Sequence, residues 1–164
     1  MSVRIRPLAS DDAPDVLALN DEVVHKLAPM GADEYAWFLR SSIGAWAAEV
    51  DGAFAGFVLL LGPGLAYDSA NYRWFSERYG SFVYLDRVAV SAAHRRAGVG
   101  RAIYAAVEAL AQQRGEPVLL EVNGRPRNDA SLAFHATLGY QEVGTLEHPG
   151  DKLVTMLAKL PTPA

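Results

Sequence analysis

Leu85-Asp86-Arg87-Val88-Ala89-Val90-Ser91-Ala92-Ala93-His94-Arg95-Arg96-Ala97-Gly98-Val99-Gly100-Arg101 reads as the end of a strand, a basic glycine-containing turn and the start of a helix. The first N–H groups of a helix have no intrahelical acceptor and carry partial positive charge. A strand–turn–helix of this kind can therefore hold phosphate oxygens. Glycine lets the backbone approach an anion closely, and Arg95, Arg96 and Arg101 concentrate cationic charge there. The same spacing also suits a merely solvated basic turn. The segment has neither the lysine–threonine pair of a P-loop nor the G-x-G-x-x-G of a dinucleotide fold.

Outward from this stretch, the pattern alternates between strand and helix periods. Val3 and Ile5 alternate with Arg4 and Arg6 as in a strand. Ser10-Asp11-Asp12 with Pro14 is a helix start, followed by Val16, Leu19 and Val23 at helical spacing. A second helix is expected over Ala32–Ser41, with Tyr35, Phe38 and Leu39 inward. Two strands, around Trp46–Val50 and Ala53–Leu61, flank the tight-turn pair Asp51-Gly52. Gly62 to Gly80 breaks the pattern with glycines and aromatics around a short helix, a length that points to function. Phe82–Val90 is a strand and Gly98–Gln113 a long helix that Gly115 can end. Val118–Val122 is a buried strand, and Asn128–Leu138 a helix closed by Gly139. Two last strands, around Gln141–Glu147 and Lys152–Leu160, enclose Pro149-Gly150, and the tail Pro161-Thr162-Pro163-Ala164 is expected to fray. The order β-α-α-β-β-β-α-β-α-β-β predicts an α/β fold, a mixed sheet with helices on both faces, in a single domain over 1–164.

Composition narrows the function. Of 164 residues, 51% are hydrophobic and 21% charged, a globular balance. A net charge of −4 provides no global field for nucleic acid, so any cationic site must be local. With no cysteine there is no disulfide, no thiolate metal site and no cysteinyl acyl-enzyme, and no metal is expected. Met1–Arg6 has no apolar signal core, and the longest apolar run, Ala53–Leu61, is too short to span a bilayer. The expectation is a soluble cytoplasmic protein that does not engage membrane.

Arg95-x-x-Gly98-x-Gly100 after Val88-Ala89-Val90 resembles the acetyl-CoA signature of the GNAT (GCN5-related N-acetyltransferase) superfamily, Q/R-x-x-G-x-G/A after a hydrophobic strand. Asn128-x-x-Ser131-x-x-Phe134-His135-x-x-x-Gly139-Tyr140 resembles the second cofactor helix of that superfamily, and the element order is similar along nearly the whole chain. The resemblance implies a mostly antiparallel sheet of about seven strands. It also implies that the backbone of Val88, Ala89 and Val90 pairs with pantetheine amides as an added strand. The amides of Arg95, Arg96, Ala97, Gly98, Val99 and Gly100, with Arg101 beside them, would hold the pyrophosphate. The cofactor would lie in a splay between the strand ending at Val90 and that at Leu119–Val122, with Asn128, Ser131 and His135 contributing from the later helix. Arg96 stands where many members have glycine, so the local backbone is expected not to need a positive φ there.

An alkylammonium, with a pKa of about 10, must lose a proton before it can attack a thioester. Alternation puts Tyr84, Asp86, Val88 and Val90 on one side of their strand, which makes Asp86 a candidate base or an anchor for a cationic substrate. Glu121, facing the same way as Asn123, sits in an apolar strand where a carboxylate is costly unless paired. For both acids a structural ion pair, for instance with Arg87, is the competing reading. Asn128, Ser131 and His135 form one stripe on their helix, with Phe134 and Leu138 expected to face the core. The resemblance places at His135 the residue that protonates the departing thiolate. That residue is often tyrosine, and is histidine in small bacterial relatives resembling the phosphinothricin-type acetyltransferases. Asn128 is equally suited to be an ordinary helix cap. The acceptor wall is expected from His25–Met30 and the aromatic loop, with Met30, Tyr72, Trp74, Tyr84 and Asn123 as contacts. The same aromatics could instead pack the loop or join two copies in a homodimer.

The function implied is acetyl-CoA-dependent transfer of an acetyl group to a primary amine of a small molecule, amino acid or peptide, by direct attack. The alternatives are a non-catalytic acyl-CoA-binding or regulatory module of the same fold, and a nucleotide-phosphate binder that uses the basic turn otherwise.

Overall fold

Strand-period and helix-period stretches of the sequence become separate elements in the computed structural model, which describes residues 2–23 and 27–163. These are β1 Val3–Pro7, α1 Ala13–Glu22, α2 Ala32–Ser41, β2 Gly44–Val50, β3 Ala53–Leu61, α3 Ala70–Ser76, β4 Val83–Val90, α4 Val99–Arg114, β5 Val118–Arg125, α5 Asp129–Thr137, β6 Gln141–His148 and β7 Lys152–Lys159. The strands follow the order β1-β2-β3-β4-β5-β7-β6. The pairs β1/β2, β2/β3, β5/β7 and β6/β7 are antiparallel, and β4/β5 is parallel. The mixed, mostly antiparallel sheet is thus the one anticipated. Contacts divide the chain into two compact units, one holding residues up to Leu61 with Leu85–Leu110, the other Gly62–Tyr84 with residues from Ala111 onward.

In the first unit, β2 and β3 join through Asp51 and Gly52, at φ 50° and 84°, the left-handed pair that a tight hairpin requires. Val16, Leu19, Tyr35 and Phe38 are buried on α1 and α2. Arg6 fastens the start of the chain. Its Nε donates to Glu49 at 3.0 Å, and its two terminal nitrogens donate to Asp12 at 2.9 and 2.8 Å. Asp12 also accepts from the Ala9 N–H at 2.8 Å. The hydrogen bond from Arg6 is the main reason the Asp12 carboxyl is held below its ordinary value, with the Ala9 amide helping and burial opposing. Tyr35 donates to the Ala9 carbonyl at 2.7 Å, and burial, with Asp12 nearby, pushes its phenol up to about 12.

In the second unit, β5 pairs with the start of β4 at Val83↔Val118 and Tyr84↔Leu119, and with β7 along its length. The aromatic segment before β4 is pinned from within. The Tyr72 hydroxyl donates to the Gly62 carbonyl at 2.7 Å and accepts from the Leu65 N–H at 3.1 Å. The Trp74 ring lies against Gly144, where a Cβ would come within 2.5 Å of it, and the Arg78 guanidinium sits 3.8 Å from the Trp74 ring centre. Of the tail expected to fray, Thr162 is held in place. The Gln112 side-chain amide donates to the Thr162 carbonyl and accepts from its N–H, both at 2.8 Å, so Thr162 is bound as by a strand partner.

Because Asp12 is depressed in the fold, the stability it contributes is complete above its ordinary value of about 3.9 and is lost as pH falls through its lower folded value. Asp12→Asn is expected to lower the melting temperature at pH 7 by a few degrees, about 1–2 kcal/mol. That deficit should narrow as the pH is taken below 4 in parallel thermal melts; a constant deficit would contradict it.

Candidate functional site

The turn after β4 is built by two left-handed residues. After the 3-10 turn Ala92–His94, Arg96 has φ 70° and Gly98 φ 81°. The expectation that residue 96 needs no positive φ is overturned. Arginine sits there at a cost of about 1–2 kcal/mol, because its Cβ crowds the following carbonyl. The turn is held at its base by the Ser91 N–H, which donates to Ala55 on β3 at 2.8 Å. The Ala97 amide is turned inward to the His94 carbonyl at 3.2 Å, and that of Arg95 reaches Ala92 at 3.5 Å. The amides from Val99 onward open α4, and the first of them are the donors that a helix start leaves without an intrahelical partner. Arg95, Arg96 and Arg101 are exposed. Gly100 has open space where a Cβ would stand, in a helical turn that alanine would favour. The His94 Nδ1 is buried without a partner among the described residues.

On β4, Val88 and Val90 are half-buried and Ala89 is buried. Asp86 is in an ion pair with Arg87 at 2.9 Å, both side chains less than a tenth exposed. Arg87 also donates to Asn20 Oδ1 and to the Ala28 carbonyl, each at 3.0 Å, with Phe38 beneath its guanidinium. Asn20, fully buried on α1, donates to the same Ala28 carbonyl at 3.0 Å. The ion-pair reading of Asp86 therefore has its geometry. Met30, expected on the acceptor wall, is a core residue at 5% exposure. His25 lies outside the described residues.

Two predicted residues come together in the second unit. Tyr84 donates a short hydrogen bond to Glu121 Oε1. The parallel register Tyr84↔Leu119 sets the two side chains diagonally across neighbouring strands. Tyr84 is almost fully buried, with Tyr72 and Phe75 rings at 5.7 Å, while Glu121 is half-buried. Tyr84 is thus a partner of Glu121. Tyr72 is buried and bonded within the loop, and Trp74 is half-buried against Gly144 on β6. Asn123 is half-buried, with its carbonyl accepting from the Asn128 N–H at 2.9 Å.

On α5 the expected facing is reversed. His135 is buried at 5% exposure, whereas Phe134 and Leu138 are half-buried. His135 can be buried because its Nδ1 lies 2.7 Å from the Ser131 carbonyl, with its ring edge-on to Phe134 and Tyr140. A carbonyl only accepts, so Nδ1 carries the hydrogen and Nε2 of the neutral ring is an acceptor. Asn128 is a helix cap, its Oδ1 accepting from the Ser131 N–H at 3.1 Å.

The profile of the acetyltransferase (GNAT) family matches residues 7–140. The chain belongs to that family. It is 34% identical over 120 residues to a phosphinothricin N-acetyltransferase of Streptomyces viridochromogenes; the match covers 73% of this chain but only 55% of that enzyme's length. Among solved structures, Ard1 from Thermoplasma volcanium superposes with a TM-score of 0.77 at 17% identity, covering 99% of this chain and 100% of its own. Arabidopsis thaliana Naa50, in complex with the bisubstrate analogue CoA-Ac-MVNAL, gives a TM-score of 0.72 at 16% identity, covering 97% and 99%. These likenesses establish the GNAT fold.

Sequence reasoning missed the Arg87–Asn20–Ala28 network of this GNAT chain. Its one signal was an asparagine beside Leu19 on the inward face of α1. The Tyr84–Glu121 pairing depends on strand register, which no local pattern carries. The neutral His135 ring is expected to be the Nδ1-protonated tautomer in long-range nitrogen–proton NMR spectra; an Nε2-protonated ring would contradict the bond to Ser131.

Proposed function

We propose that this GNAT chain is an acetyl-CoA-dependent N-acetyltransferase that acts on a primary amine of a small molecule, amino acid or peptide, by direct attack in a ternary complex. The observation that carries the proposal is the half-buried Glu121 held by Tyr84, in a chain whose strand β4 leads from Tyr84 into the left-handed turn. The GNAT profile runs through segments of both units, which supports reading them as one catalytic domain. The relative's name supports N-acetyl transfer, and the Naa50 complex supports a CoA thioester meeting a peptide amine.

The residues present fit acetyl-CoA. A helix start, an open Gly100 and the orphaned His94 Nδ1 are what a turn completed by an anion would show. Bound there, acetyl-CoA supplies an activated thioester carbonyl. In this reading, Arg96 and the amides from Gly98 to Arg101 hold the pyrophosphate, and the main chain of Val88–Val90 takes the pantetheine. Glu121 accepts the proton of the acceptor ammonium, directly or through one water, and Tyr84 keeps the carboxylate oriented. Asp86 remains paired with Arg87. His135, with its hydrogen on Nδ1, gives a proton from Nε2 only as imidazolium.

Acetyl-CoA is expected to raise the melting temperature of the purified protein, and a panel of primary amines to release free CoA thiol. Glu121→Gln should keep the acetyl-CoA shift and slow thiol release about 10²-fold. Stabilisation with no thiol release for any amine would instead identify a binding module.

A further inference from the structure

We infer that His148 is a positioning residue for the Glu121 base, acting through its bond to Asn71 on α3. The inference rests on the reading of Glu121 above. The strand register sets Glu121 opposite Met156, and Met156 opposite Gly144, and directly opposed residues share one face of a sheet. His148 returns to the Gly144 face by alternation along β6. α3 lies on that same face, because the Trp74 ring meets Gly144 and the His148 Nε2 lies 2.9 Å from Asn71 Oδ1. An amide oxygen only accepts, so Nε2 carries the hydrogen and donates it.

The helix is engaged on two sides. Asn71 and Trp74, three residues apart, turn to β6. Tyr72 and Phe75 turn to Tyr84, each ring centre 5.7 Å from it. Tyr84 in turn donates to Glu121. Direct contacts therefore run from His148 through α3 and Tyr84 to the carboxylate. α3 has seven residues, too few to be stable alone, so its placement comes from what holds it. The Tyr72 hydroxyl ties it to Gly62 and Leu65, in the segment just before it. Against β6, the Trp74 contact is apolar and without direction. The His148–Asn71 bond is directional, and weakens steeply out of line, so it sets where α3 stands along β6.

His148→Ala, His148→Gln, Asn71→Ala and the double variant His148→Ala/Asn71→Ala are compared with wild type and Glu121→Gln. The readout is thiol release from saturating acetyl-CoA, with the primary amine of the panel that wild type acetylates fastest. Each single alanine variant should lower kcat about tenfold, with KM for the amine changed less than about twofold. The double variant should be no slower than the slower single one, because both remove the same bond. His148→Gln, whose amide nitrogen donates as Nε2 does, should keep most of kcat. Wild-type kcat in both alanine variants while Glu121→Gln is slow, even with a lowered melting temperature, would leave His148 a purely structural role and overturn the inference. A raised KM at unchanged kcat would overturn it too, since His148 would then meet the acceptor itself. Wild-type turnover in Glu121→Gln would remove the base reading, and this inference with it; thiol release with no amine would have the same consequence.

Discussion

The site depends on a reversal of backbone handedness at Arg96 and Gly98. A right-handed path would run the 3-10 turn Ala92–His94 straight into α4, and each amide would find a carbonyl a turn behind it. The left-handed residues break that continuity. Ala97 is turned inward to His94, and the first amides of a sixteen-residue helix follow, donors that a helix start leaves without an intrahelical partner. Buried or not, such groups need a partner, whether solvent or ligand. The turn keeps its position because Ser91 is bonded to Ala55 on β3.

The chemistry attributed to the chain rests on how each polar side chain in its apolar surroundings is satisfied. Arg87 takes Asp86, Asn20 and Ala28; Tyr84 takes Glu121; His135 takes Ser131. These pairings distribute roles among candidates that the sequence left equal. Asp86 faces a full cation, the Arg87 guanidinium. Glu121 faces a neutral phenol, which orients it without supplying a counter-charge. Breaking a buried ion pair costs about 3–5 kcal/mol, so the Asp86–Arg87 unit is also a structural commitment.

Much of this was legible before any coordinates. Period-two and period-3.6 runs, Asp51-Gly52 and the capping signals gave the elements, because local backbone chemistry decides them. Ala32–Ser41 and Ala53–Leu61 fall where the periodicity puts them. The basic turn was legible because its glycines and arginines are consecutive. What escaped was non-local. The Tyr84–Glu121 pair follows from the register of parallel strands, the inward rotation of His135 from a carbonyl one turn earlier, and the binding of Thr162 from Gln112 in a distant segment. The φ of Arg96 escaped for another reason: its side chain argued against the conformation that the turn imposes.

The central claim is that the amides at the head of α4 bind a diphosphate. An amide-resolved NMR titration of the protein with CoA tests it most directly. The account predicts that the largest shift changes fall on Arg96 and Gly98–Arg101, with the Ala97 amide, already bonded within the protein, changing less. Changes centred elsewhere, with these amides unmoved at saturating CoA, would contradict it.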